Sequence, residues 1–280
     1  MTVVDAHIHL WDLSHFSLSW FRHDLGLPRA ASPADFRAAA SGPLVERAER
    51  DETPQADLGP GPVSATAVQA GDTLAEMRWL RQIAAVDPVV RSVVLQYAPG
   101  PEGWAGLATP VLNDRVRGIR VATPGGAGDL SDVPGLDALC EGAAASGRVI
   151  EWLVRPEQLD AVAQVAVRHP HTTFVLCHLG LGAADPTPGW RDALQRVAAA
   201  PNAAAKFSGL MTGADDPGRL EALATTAYDA FGAERLMFGS DWPMSSRVAS
   251  YRQLVDRVER AWGSRPDGFW GPVFARSYGL

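Results

Sequence analysis

Eight short apolar runs rich in β-branched residues recur along this chain with helix-patterned stretches between them, and that alternation limits the fold more than any single motif. The runs fall near 2–8, 63–69, 89–96, 116–121, 148–154, 172–178, 203–208 and 235–240. Helical spacing of apolar residues marks 73–86, 134–146, 156–168, 188–200, 217–231 and 248–262. Parallel strands need long crossovers, and helices supply them. Eight such units in 280 residues predict an α/β fold of the closed (β/α)8 TIM-barrel type, built as one domain over 1–280. An open doubly wound sheet would show a glycine-rich turn after the first strand, whereas here the strand runs into His9-Leu10-Trp11-Asp12. The stretch from Leu10 to Pro62 reads as a long irregular loop region after strand 1. Its Trp11, Phe16, Trp20 and Phe21 fold either over the barrel mouth as a lid or into a satellite cluster, and LGPGP at 58–62 is a loop signal.

The formal charge of -7 leaves no electrostatic footprint for nucleic acid and no polybasic surface for a membrane, so the expected partner is a small-molecule substrate. The cysteines are Cys140 and Cys177, no apolar run reaches spanning length, and no charged-then-apolar leader precedes the first strand. These features predict a cytoplasmic protein. A homo-oligomer and a monomer are equally compatible with the sequence. Of the 25 basic residues only Lys206 is a lysine. Either chance placed it, or it stands where arginine cannot.

In a barrel of this kind the reactive groups sit where strands end and helices begin. Strand 1 ends in His7-x-His9, and strict alternation puts both imidazoles on one face with Asp5. Such a pair can hold a divalent metal, an anion or a substrate carbonyl. Other strands offer Gln69, Arg120, Glu151, His178, Lys206 with Ser208, and Asp241. Cys177 alternates to the opposite face and is expected in the helix layer; His15, His23, His169 and His171 are expected at the surface. Burying Lys206 and Asp241 unpartnered would cost several kcal/mol each, so they should pair with each other, a metal or a charged ligand.

Together, VDAHIHLWD at the start, CHLG at 177–180, AAKFSGL at 204–210 and RLMFGSDWP at 235–243 resemble the amidohydrolase superfamily. The likeness is to its amidohydrolase-2 branch of sugar-lactone and pyrone-dicarboxylate lactonases. It implies a barrel hydrolase in which Asp241 activates water and His178 assists. It also implies that His7 and His9 ligate a divalent metal or, without one, polarise the carbonyl, and that Arg120 and Lys206 hold a substrate carboxylate or hydroxyls. Gln69 and Trp242, at adjoining strand ends, are further candidate substrate contacts. Glu151 and Asp241 complete a candidate metal set with His7 and His9, zinc being the expected ion and a metal-free site the alternative. The implied activity is hydrolysis of a carboxylic ester, a lactone of a sugar acid or of an unsaturated dicarboxylic acid. A metal-dependent decarboxylase of an aromatic or dienoic acid and a catalytically silent binding barrel are the competing functions. The chain departs from its relatives at Val121, where they carry His, at Leu181, where they often carry Lys, and at Val273-Phe274, where they show Asn-Ala. Two substrate contacts are therefore expected to be missing or moved.

Overall fold

The computed structural model describes residues 3–42, 63–97, 114–182, 184–211 and 216–280. Eight parallel strands form one sheet in chain order: β1 (Val4–Ile8), β2 (Ser64–Val68), β3 (Val90–Gln96), β4 (Val116–Ala122), β5 (Val149–Leu153), β6 (Thr173–Leu176), β7 (Ala203–Phe207) and β8 (Leu236–Phe238). The sheet closes on itself just beyond β8. Ile8 bridges Trp242, the Asp241 N–H donates to the His7 carbonyl at 2.8 Å, and the His9 N–H donates to the Trp242 carbonyl at 2.7 Å. This is the (β/α)8 barrel that the alternation predicts, with no open edge.

The helices are α1 (Pro33–Ser41), α2 (Leu74–Val86), α3 (Leu136–Ser146), α4 (Leu159–Arg168), α5 (Trp190–Ala198), α6 (Pro217–Phe231), α7 (Tyr251–Trp262) and α8 (Pro272–Tyr278). Six of them match the predicted spans to within three residues. The segment after β1 is less irregular than expected. Trp11–Asp12 pairs antiparallel with Ala30–Ala31, and α1 starts at a capping box in which Ser32 and Asp35 bond each other's backbone N–H, with Pro33 in the first turn. The LGPGP run lies outside the described residues. Among the described residues no helix is long and apolar enough to cross a membrane.

Two apolar cores hold the barrel together. The larger lies between strands and helices. The smaller fills the barrel interior with Val4, Ala6, Val68, Val94, Val149, Val175, Ala204 and Met237, against which α8 packs Val273, Phe274 and Tyr278. Each fully buried branched or aromatic side chain contributes on the order of 2 kcal/mol. Val273 and Phe274, where the resemblance leads one to expect Asn-Ala, thus form an apolar plug of the barrel interior.

Alternation fails in β1. The ladder with β2 pairs Asp5 with Ala65 but Ile8 with Ala67, so β1 carries one extra residue, a β-bulge. Asp5 is thereby turned away from His7 and His9. Its Oδ1 accepts the Ser240 N–H at 2.9 Å and the His7 N–H at 3.1 Å. The expectation that all three share a face is corrected: the bulge re-aims the histidines inward, and Asp5 fastens β1 to the turn after β8.

Candidate active site

A cavity of about 490 Å³ opens where the strands end. His9, His178, Asp241, Arg120 and Gln96 line it below, and Trp20, Asp72, Arg155 and Arg247 line it higher up. Three backbone devices aim the inner groups. The bulge in β1 presents His7 and His9. Beyond β6 the backbone of His178 and Leu179 enters the left-handed region at φ 54° and 53°, and that of Asp241 does so at φ 59°. Such conformations cost a non-glycine residue about 1 kcal/mol each and recur where a site requires them. Gly209 makes room: a Cβ there would stand 2.5 Å from His178 Nδ1.

The inner groups converge. His9 Nε2 lies 3.4 Å and His7 Nε2 3.6 Å from Asp241 Oδ1, and the two Nε2 atoms are 3.3 Å apart. His9 Nδ1 sits 2.7 Å from the Val68 carbonyl, which accepts its proton and leaves the Nε2 lone pair facing inward. His178 Nδ1 is 2.8 Å from Ser208 Oγ. Burial pushes the Asp241 carboxyl up, but the electrostatic influence of His178, His9 and Arg120 outweighs it, so Asp241 titrates below the usual carboxylate range. Burial first, then the Lys206 charge, hold His7 well below the usual imidazole range. Burial likewise lowers His178.

Arg120 is 4% exposed. Its Nη2 donates to the Gln69 carbonyl at 2.6 Å and its Nε to Gln96 Oε1 at 3.3 Å, and among the described residues no carboxylate reaches it. A buried cation held only by neutral acceptors favours an anionic or electron-rich ligand in the cavity.

His7, His9 and Asp241 offer three donor atoms of the right chemistry and mutual spacing for a divalent cation, with an open side toward the cavity. The carbonyl fixed on His9 Nδ1 is the kind of support that metal-bound histidines carry. The set therefore fits an ion.

Several predicted residues sit elsewhere. Lys206 pairs at 2.6 Å with Glu151, not with Asp241, and both are fully buried beneath the cavity. Glu151 has its oxygens taken by Lys206, Tyr278 and Cys177, so it does not join the cluster of His7, His9 and Asp241. Cys177 is corrected as well. β6 ends at Leu176, and the Cys177 thiol points at Glu151 inside the barrel, where burial and that carboxylate raise its titration. The Gln69 side chain donates to the Thr73 carbonyl and accepts from the Gln96 N–H, which braces two strand ends but does not line the cavity. Trp242 turns outward against Phe36, ring centroids 5.5 Å apart. Val121 and Leu181 are packed in the outer core, so these two departures from the relatives remove nothing from the cavity wall. Of the aromatic segment, Trp20 alone lines the cavity; Trp11, Phe16 and Phe21 pack behind it. His15, His23 and His171 are exposed, while His169 is half-buried against Asp137. Sequence reasoning missed Gln96, although it is the last residue of its strand, and Arg155 and Arg247, which lie in a loop and in a one-turn 3-10 helix too short to show periodicity.

A (β/α)8 barrel carrying histidines and an ionised aspartate at its strand ends defines a class of hydrolytic barrel enzymes. The Amidohydrolase family model matches residues 4–267, and the chain belongs to that family. An L-fucono-1,5-lactonase of Burkholderia multivorans is 31% identical over 309 residues, covering 99% of this chain and 96% of its own. A second L-fucono-1,5-lactonase, from Burkholderia ambifaria, is 30% identical over 89% of this chain and 82% of its own. Among solved structures, an amidohydrolase from Burkholderia multivorans with bound zinc superimposes with a TM-score of 0.76 at 27% identity, covering 100% of both chains.

Proposed function

We propose that this single-domain protein hydrolyses the lactone of a sugar acid, a six-membered aldonolactone of the kind named for its lactonase relatives. The observation that carries the reading is Asp241: an ionised carboxylate beside two imidazoles at the base of a cavity sized for one sugar ring. In this reading Asp241 takes a proton from water as the water oxygen bonds to the lactone carbonyl carbon. Arg120 and His178 face the oxygen on which charge develops. The ring C–O bond then breaks, the proton passes from Asp241 to the departing ring oxygen, and a hydroxy acid leaves. A carboxylate is a weak base toward bulk water, so the substrate must be an electrophilic ester or the water must be activated. Lactones meet the first condition better than amides do.

His7, His9 and Asp241 would hold a divalent cation, zinc by the chemistry of the donors and by analogy with the zinc-bound relative. When bound, it would supply Lewis-acid polarisation and a lower pKa for water. The remaining work belongs to side chains: Trp20 covers one cavity wall, and Arg120 orients the acyl end.

The test is acid release at neutral pH from a panel of aldonolactones and carboxylated unsaturated lactones, measured against spontaneous opening. Acceleration on sugar lactones supports the reading. Inertness on every lactone contradicts it.

A further inference from the structure

A buried line of polar groups runs through the barrel from the C-terminal helix to His7. Tyr278 on α8 and Lys206 on β7 both donate to Glu151 Oε1, and the Cys177 thiol donates to Oε2 at 3.3 Å. The ammonium of Lys206 stands 5.6 Å from the centroid of the Tyr278 ring and 3.5 Å from His7 Nδ1. Glu151 has thus committed Oε1 to two donors and Oε2 to a third, which fixes where Lys206 sits.

An ammonium has three N–H groups and no acceptor, so at His7 the imidazole must accept. An imidazole that accepts at Nδ1 carries its proton on Nε2. That atom is the one that faces His9 Nε2 at 3.3 Å and Asp241 Oδ1 at 3.6 Å. His9 agrees with this direction: its Nδ1 gives a proton to the Val68 carbonyl, so its Nε2 can only accept. The hydrogen bonds therefore run one way, from Lys206 through His7 and His9 to the Val68 carbonyl.

We propose that Lys206 is a positioning residue: held by Glu151, which Tyr278 fixes in turn, it sets the His7 tautomer that presents Nε2–H to His9 Nε2 beside Asp241. This assigns a reason to the lone lysine in a chain with 24 arginines. The compact ammonium fits between Glu151 and His7 in a fully buried space, where a planar guanidinium is larger and its donors diverge. A cation that binds through His7 Nε2 must first move that proton.

The experiment is long-range proton–nitrogen NMR on metal-free protein labelled with ¹⁵N-histidine, with His7 assigned by its loss in His7→Asn. The expected wild-type spectrum shows His7 protonated on Nε2 and bare on Nδ1. In Lys206→Met the ring is expected to reverse, with Nδ1–H turned to the vacated Glu151 Oε1. A His7 protonated on Nδ1 in the wild type, or an unchanged tautomer in Lys206→Met, overturns the proposal. Should Lys206→Met fail to fold, the wild-type spectrum still decides. The kinetic consequence rests on the lactonase reading: kcat falls at least tenfold in Lys206→Met and is not rescued in Lys206→Arg, while KM changes less than threefold. The spectrum stands without any substrate, so a failed lactone screen and a failed tautomer assignment are separate results.

Discussion

The backbone N–H of Asp241 donates to the carbonyl of His7 at 2.8 Å. The proposed base and the first histidine are therefore joined by main chain at the seam where the barrel closes. Their relative position depends on closure itself, and closure depends on how tightly β8 and its turn approach β1.

Gly239 is where that approach is tightest. A Cβ there would stand 2.8 Å from His7 Cβ and 3.0 Å from Ser208 Cβ. Gly239→Ala is expected to destabilise the fold by about 1–3 kcal/mol. It should also lower kcat at least tenfold, because His7 and Ser208, the partner of His178, are the neighbours that must yield. Thermal melts with lactonase kinetics check this; a variant with wild-type kcat would show that the seam tolerates the displacement.

Trp20 should act on binding and not on chemistry. Its indole N–H donates to the Ala70 carbonyl at 2.9 Å, which holds the ring against the cavity far from Asp241 in sequence. Trp20→Ala is expected to raise KM about tenfold, about 1.4 kcal/mol of lost contact, with kcat within twofold. A fall in kcat at unchanged KM would assign the ring a different role.

Glu76 gives the protein a pH dependence away from the reacting groups. Burial raises its carboxyl from 4.5 to about 7, although the N–H groups of Ala70 and Gly71 oppose this. The folded state then holds this proton more tightly than the unfolded state does. Its contribution is full below about pH 4.5, declines as pH rises through 7, and amounts to about 3 kcal/mol across that window. In denaturant melts, wild type should therefore lose about that much stability relative to Glu76→Gln between pH 5 and pH 8. A stability difference between the two that does not change with pH would place the Glu76 titration elsewhere.

Much of this architecture was legible from periodicity. Six helices and eight strands follow from apolar spacing, because a barrel strand buried on both faces and a crossover helix leave different repeats. The helix α1 has its own signal in Ser32-Pro33-Ala34-Asp35, a cap followed by a first-turn proline, but it lies in a segment whose aromatic residues point equally to a lid. What misled were places where backbone leaves the ideal: one bulge in β1 turned Asp5 out, and strand β6 ended before Cys177, which put the thiol inside. Alternation cannot register one inserted residue. The pairing of Lys206 with Glu151 was hidden for another reason: it joins strands 55 residues apart and depends on barrel stagger, which no local pattern encodes.

The central claim is that Asp241 moves the proton in ester hydrolysis. Asp241→Asn keeps the size and the backbone bond to His7 while removing the basic oxygen. On the sugar lactone that the wild type opens fastest, kcat measured at neutral pH is predicted to fall by about 10²–10⁴ with the fold retained. An Asp241→Asn protein that is folded and turns over at the wild-type rate would contradict the account.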